Sequence, residues 1–159
     1  MNILSRLFKR KSPVDEQTTN HVHDFFRVTT PFVDEMFQVD PTDAVLPESA
    51  LEDAGFLHFV TKKGRRCAVN LKRVQTLQRI KLTGEIESTY PIRGVHLHLE
   101  GRNDSMDIDP ENADQFSHFF DELNSKRSFV KLGEYSIRKD EIVIAVASER
   151  FLDEWVWLR

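Results

Sequence analysis

The segment that most constrains the fold is Ser105–Leu123, which predicts a short strand running directly into an amphipathic helix at about residues 110–124. Acidic and apolar residues alternate at its start, as they do along a strand. Asp109 then occupies a favoured N-cap position, and the proline after it suits the first helical position. Burying each large apolar side chain of such a helix is worth roughly 1.5–3 kcal/mol. The helix therefore needs a sheet to cover its apolar stripe, which consists of Ala113, Phe116, Phe119, Phe120 and Leu123.

The remaining sequence predicts strands that can form this sheet. Phe56–Val60 predicts a strand with apolar residues on both faces, and apolar residues alternate with polar ones in the second half of Pro91–Glu100. Ile142–Ala147 is apolar throughout, as expected of a strand that is buried on both faces. KKGRR, residues 62–66, predicts a hairpin turn with its glycine at a position of positive φ. The fold class is therefore α+β, with an antiparallel β meander on which the helix packs.

Further helices are predicted at both ends of this meander. In the segment Asn20–Gln38, the side chains of Asn20 and Thr30 are suited to helix N-caps, and Pro31 suits a first helical position. These signals predict a pair of N-terminal helices. Ser148 is expected to cap a C-terminal helix in the same way.

The length of 159 residues fits one domain, which we assign to residues 20–159. Residues 1–19 form a basic amphipathic leader followed by a polar linker. The leader carries apolar residues at helical spacing, among them Leu7 and Phe8, with basic residues on the other side. Such a segment can dock into a groove of a partner or lie on an anionic membrane surface. The alternative is a solvent-exposed terminus without a partner.

The segment His96–Leu123 is similar to the last strands and closing helix of small bacterial domains with a pleckstrin-homology-like (PH-like) fold. In those domains a strand hairpin leads through a Pro-Glu-(Asn or Asp) step into a helix that bears a phenylalanine. Here Pro110, Glu111, Asn112 and Phe116 stand at these places. The resemblance implies a PH-like arrangement of the strands and the helix. The chain departs from that pattern because predicted strands continue after the helix.

No motif in the sequence identifies a reaction or a cofactor. A glycine-rich phosphate loop, a nucleophile elbow and an HExxH motif are all missing from it, which favours a non-enzymatic protein that needs no cofactor. No run reaches the ~18–20 apolar residues of a membrane span. Cys67 is the single cysteine, so an internal disulfide is impossible and a reducing, cytoplasmic compartment is expected.

Two His-x-His pairs are the main candidates for metal binding. Positions i and i+2 of a strand share a face, so His96 and His98 could present two imidazoles to one metal ion. The alternative is a solvent-facing pair opposite an apolar core face. His21 and His23 fall in a predicted helix, where such positions point apart. A third ligand would be required, and nearby strands offer His58, Glu100 and Asp107.

The strongest binding signal is a basic hairpin within residues 62–81. Although the net charge of the chain is −4, Lys62–Arg93 holds nine basic residues and two acidic ones. Basic side chains on a hairpin suit phosphates or an acidic protein surface. Aromatic residues for stacking bases are sparse beside it, with Phe59 alone nearby. The alternative is a solvated face. The predicted partner-binding residues here are Lys62, Lys63, Arg65, Arg66, Lys72 and Arg73.

The C-terminal segment carries Trp155 and Trp157, and on a helix these two side chains point to different sides. Tryptophan is enriched among interface hot spots. With the leader and the basic hairpin, they predict a small protein-binding module such as an adaptor, an inhibitor or an immunity-type protein. Two alternatives remain: nucleic-acid or anionic-membrane binding through residues 62–81, and a metal-dependent protein using His96 and His98.

Overall fold

The computed structural model describes residues 21–42, 55–83 and 94–147. Within these ranges the chain forms ten strands and one α-helix, α1 (Ala113–Glu122), which lies between the seventh and eighth strands. A single 3₁₀ turn, Lys139–Glu141, precedes the last strand. The predicted leader and the predicted C-terminal helix lie outside the described residues. The strands are β1 (Val22–Thr29), β2 (Asp34–Val39), β3 (Phe56–Val60), β4 (Arg66–Asn70), β5 (Thr76–Thr83), β6 (Val95–Leu99), β7 (Met106–Ile108), β8 (Phe129–Leu132), β9 (Tyr135–Arg138) and β10 (Ile142–Ala147).

The strands form two larger sheets and a separate hairpin, and their pairing is antiparallel. Sheet A has the order β2-β1-β5, and sheet B has the order β3-β4-β10-β6-β7. Strands β8 and β9 pair only with each other. The predicted α+β class with antiparallel sheets is therefore confirmed.

Sheet B is the middle of three layers, because both of its faces carry apolar side chains. One face packs against α1 and the β8–β9 hairpin, and the other packs against sheet A. Strand β10 contributes to both cores: Ala145 and Ala147 face the helix, whereas Ile144 and Val146 face sheet A. This double burial explains why the strand is apolar at every position, as the sequence predicted.

The central helix was predicted from the correct apolar stripe but with the wrong N-cap. Phe116, Phe119 and Phe120 are buried, as expected. The cap is Asn112 rather than Asp109, since the Asn112 side chain accepts a hydrogen bond from the Gln115 N–H at 2.8 Å. The Gln115 side chain in turn accepts hydrogen bonds from the N–H groups of Glu111 and Gly133. These hydrogen bonds keep the residues before Ala113 out of the helix and connect the start of α1 to the β8–β9 turn.

The predicted N-terminal helices are wrong, because this segment forms β1 and β2. Thr30 does act as a cap, but it caps the turn between the two strands: its hydroxyl accepts from the N–H of Val33 at 3.0 Å. Serine and threonine side chains close tight turns with the same bond that they use at helix starts. Pairing of the whole length of β1 with β5, and of residues 24–29 with β2, then favours the extended conformation.

The PH-like arrangement implied by residues 96–123 is not supported. Three strands follow α1, and the last of them, β10, inserts between β4 and β6 at the centre of sheet B. The helix therefore does not close the domain. In the sequence, α1 lies between β7, an edge strand of sheet B, and the β8–β9 hairpin, which packs against the same core.

Two phenylalanines give a matched test of this layering. Phe120 is fully buried under sheet B, whereas Phe129 on β8 is 47% exposed. We expect Phe120→Ala to lower the free energy of unfolding by about 3–5 kcal/mol, because it leaves a cavity in the core. Phe129→Ala should cost less than about 1 kcal/mol, since it removes only surface contacts. Urea denaturation of both variants measures this, and equal losses would contradict the assigned layers.

Candidate functional site

The predicted basic hairpin exists as the turn between β3 and β4, and this turn is held in one conformation by backbone hydrogen bonds. Thr61 and Arg65 are joined by a bond of 2.9 Å, and the Gly64 N–H donates to the carbonyl of Thr61 at 2.8 Å. Gly64 has a φ of 83°, as the turn prediction required. The Lys62 N–H donates to the carbonyl of Gln38, which ties the turn to sheet A. The tip is therefore attached to both sheets.

Two arginines of the predicted set are engaged inside the domain. Arg66 forms an ion pair with Asp121 of α1 at 2.7 Å, and its guanidinium lies 5.0 Å from the centre of the Phe120 ring. Arg73 donates a hydrogen bond to the backbone carbonyl of Asp140. These side chains connect β4 and the following turn to the rest of the fold, so a partner would have to break existing contacts to reach them.

The lysines of the set are more accessible. Lys62, Lys63 and Lys72 are exposed, and no ion pair involves them within the part of the chain that the structure describes. Arg65 is half-buried. The free positive charge of the predicted site is thus concentrated in the two adjacent tip lysines, with Lys72 beyond the end of β4.

Four predicted contact residues cannot be placed relative to this tip. Leu7 and Phe8 of the leader and Trp155 and Trp157 of the C-terminal segment lie outside the described residues. Their role in binding stays a prediction.

His96 and His98 share one face of β6, as predicted, but this face is not exposed to solvent. Val95 and Leu97 point toward α1, so the two histidines point toward sheet A. His96 is only 7% exposed, because sheet A covers it. The predicted solvent-facing pair is therefore wrong, and the reason is that the covering strands were predicted to be helices.

The two histidines belong to a polar group that we call the inter-sheet cluster: Glu35, His96, His98 and Asp107. His96 Nδ1 lies 2.6 Å from Asp107 Oδ1, its register partner on β7. The two Nε2 atoms are 3.2 Å apart, with the ring planes at 79°. Glu35, from β2, places Oε1 3.7 Å from His98 Nε2. Asp107 is 47% exposed, so the cluster reaches solvent at its β7 side.

Burial shifts two groups of this cluster toward their uncharged forms. Burial, together with the neighbouring His96, lowers the pKa of His98 to about 4, while Asp107 opposes the shift. Burial also raises the pKa of Glu35, against the attraction of His96. An Asp107 carboxylate at Nδ1 requires a proton on that nitrogen, so the Nε2 atom of a neutral His96 has its lone pair directed at His98.

Sequence reasoning found only part of this cluster. Asp107 was considered as a third metal ligand, and it instead binds the far nitrogen of His96. Glu35 was missed because β2 was assigned to a helix. Strand alternation, which places Glu35 on the same face as Phe37 and Val39, was the signal that could have found it. Over residues 21–42, 55–83 and 94–147, no three potential ligands already converge closely enough to enclose a metal ion.

Other candidates have structural explanations. His58 lies on β3, its Nδ1 atom is buried without a hydrogen-bond partner, and burial lowers its pKa. His21 and His23 lie on or next to β1 rather than on a helix, and their ring centres are 6.5 Å apart. Cys67 is fully buried, and burial raises the pKa of its thiol despite the nearby Arg65. A thiol in this state is a poor nucleophile.

The shifted pKa of His98 predicts a pH dependence of stability. Its folded-state pKa of about 4 is below the ordinary value of about 6.5, so the unfolded chain takes up the proton first. Its contribution to stability is complete above about pH 6.5 and is lost as the pH falls toward about 4. We expect His98→Gln to flatten this loss in urea denaturation measured across that range. Equal slopes for His98→Gln and wild type would contradict the assignment.

Comparison with known proteins gave no match: no family model, curated protein or solved structure is significantly similar to this chain. Within the described residues, the chain forms no helix with the length and apolar character that a membrane span requires.

Proposed function

We propose that this protein is a small non-enzymatic binding module, of the adaptor, inhibitor or immunity type, and that its β3–β4 tip contacts an acidic surface of a partner protein. The observation that carries the proposal is the pair of exposed lysines, Lys62 and Lys63, on a turn that is fixed to both sheets. Their charges are not neutralised by ion pairs among the described residues.

The anchoring of the tip supports a role in recognition. Association costs free energy when loops and side chains must become ordered, and a turn that is already fixed avoids much of that cost. Backbone bonds close the turn and join Lys62 to Gln38, while Arg66 connects the base of the hairpin to α1. Val60, at the end of β3, is 47% exposed and adds an apolar contact beside the two charges.

An acidic protein surface fits this tip better than a single-stranded nucleic acid. Binding of unpaired bases usually needs exposed aromatic side chains on which they stack. Phe59, the aromatic residue nearest in sequence, is buried between the sheets, where it packs edge-on against Phe26 and Phe37. The described tip therefore offers charge and a small aliphatic side chain, which suit carboxylates surrounded by apolar atoms.

The test compares two charge reversals of equal size. The double variant Lys62→Glu and Lys63→Glu changes the tip, and the control Lys126→Glu and Lys131→Glu changes two other exposed lysines. Each tagged protein is used as bait at low salt, with and without nuclease, and retained proteins are quantified by mass spectrometry. We expect one protein at near-stoichiometric yield with wild type and control, with at least a tenfold loss for the tip variant, because opposite charges across an interface become like charges.

Three outcomes would contradict the proposal. Retention that disappears on nuclease treatment would assign the tip to nucleic acid. Equal retention of the same protein by both double variants would show that the tip is not the contact. A separate experiment measures binding of each protein to vesicles of anionic lipid. Vesicle binding by wild type and control that is lost in the tip variant would assign the tip to a membrane surface.

A further inference from the structure

We propose that His96, His98 and Glu35 form a binding site for a divalent transition-metal ion of the Zn²⁺ type, and that Asp107 orients His96 for this role. The site is independent of the β3–β4 tip, so each proposal can fail without the other. It lies between β6 of sheet B and β2 of sheet A, at the side where β7 leaves Asp107 open to solvent.

The separation of the two imidazoles fits a shared ion. Zinc is bound by histidine nitrogen at about 2.0–2.1 Å in tetrahedral geometry, which places two such nitrogens about 3.3 Å apart. The Nε2 atoms of His96 and His98 are 3.2 Å apart, a distance at which one nitrogen donates its N–H to the other. A bound ion would replace the proton between them, and that proton would be released to solvent. Their ring centres are 4.8 Å apart, and the ring planes are inclined at 79°.

Asp107 fixes the ring state that a metal ion requires. A histidine that binds metal through one nitrogen usually donates its other N–H to a carboxylate or carbonyl, which sets the tautomer and the ring orientation. Asp107 Oδ1 lies 2.6 Å from His96 Nδ1. The Asp107 carboxylate thereby favours a proton at Nδ1, which leaves the Nε2 lone pair of a neutral His96 on the side of His98.

Glu35 supplies the third ligand after a small movement. Its Oε1 atom is 3.7 Å from His98 Nε2, slightly more than the spacing of about 3.3 Å between ligands of a tetrahedral ion. The described donors do not yet converge on one point, so binding requires the Glu35 carboxylate to turn toward the histidine pair. Its side chain is 21% exposed and forms no other ion pair among the described residues, so no other described ion pair has to break when the carboxylate turns.

The donor types select the class of ion. Two neutral imidazoles and one carboxylate suit Zn²⁺ and its neighbours in the transition series, whereas Mg²⁺ and Ca²⁺ prefer sets made of oxygen atoms. Three protein ligands leave a fourth position for water, as in zinc sites that remain open.

The experiment uses the full chain without a histidine tag. After treatment with a chelator, the protein is titrated calorimetrically with Zn²⁺, and Co²⁺ is used as a spectroscopic probe of coordination geometry. We expect one ion per chain and the strong visible absorption of four-coordinate Co²⁺. His98→Ala should weaken Zn²⁺ binding at least tenfold, and Asp107→Asn should weaken it about 10–100-fold.

Glu35→Gln separates a ligand from a structural residue. Glutamine has nearly the same size and shape as glutamate, so the variant should fold about as stably as wild type in the absence of metal. Its Zn²⁺ affinity should nevertheless fall at least tenfold, and its Co²⁺ absorption should change. The matched control replaces the second His-x-His pair, His21 and His23, by alanine and should bind as wild type does.

Three results would overturn the assignment. One is no Zn²⁺ uptake by the folded wild-type protein. Another is binding that is lost with His21 and His23 but kept in His98→Ala. The third is unchanged affinity and unchanged Co²⁺ absorption in Glu35→Gln, which would exclude Glu35 as a ligand.

Discussion

The described fold depends on the burial of β10 on both faces. This strand pairs with β4 on one side and β6 on the other, and it joins two halves of sheet B that are distant in sequence. Its side chains enter the core beneath α1 and the core beneath sheet A. A polar residue at any of its positions would therefore enter a core, which explains the uninterrupted apolar sequence from Ile142 to Ala147.

The layering also creates both candidate sites. Because sheet A covers one face of β6, His96 and His98 lie in a largely dry space in which an unpaired polar group is costly, and Asp107 and Glu35 approach them from neighbouring strands. The β3–β4 turn projects from the edge of sheet B and contacts the end of β2. One site is thus sheltered between the sheets, and the other is exposed where the sheets meet.

Sequence patterns predicted the elements whose environment is set by their own residues. The aromatic stripe of α1 is stable only as the face of a helix that packs on a sheet. The apolar run of β10 is stable only as a strand in the middle of a sheet that is covered on both faces. Thr30 was different, since its capping bond is the same in a helix start and in a turn. The choice of strand came from pairing with β5, which lies far along the chain. Because β1 and β2 were predicted to be helices, the sequence predicted neither the position of Glu35 nor the sheet that covers His96. The histidine pair was therefore identified without the residues that surround it.

Amide hydrogen exchange measured peptide by peptide tests the central role of β10 most directly. Backbone groups bonded on both sides and buried in two cores should open only with global unfolding. We expect the amides of residues 144–146, which have register partners on both β4 and β6, to exchange most slowly in the described chain, with rates set by the global free energy of unfolding. Exchange of this strand as fast as that of Tyr135–Arg138 in the outer hairpin would contradict the three-layer arrangement.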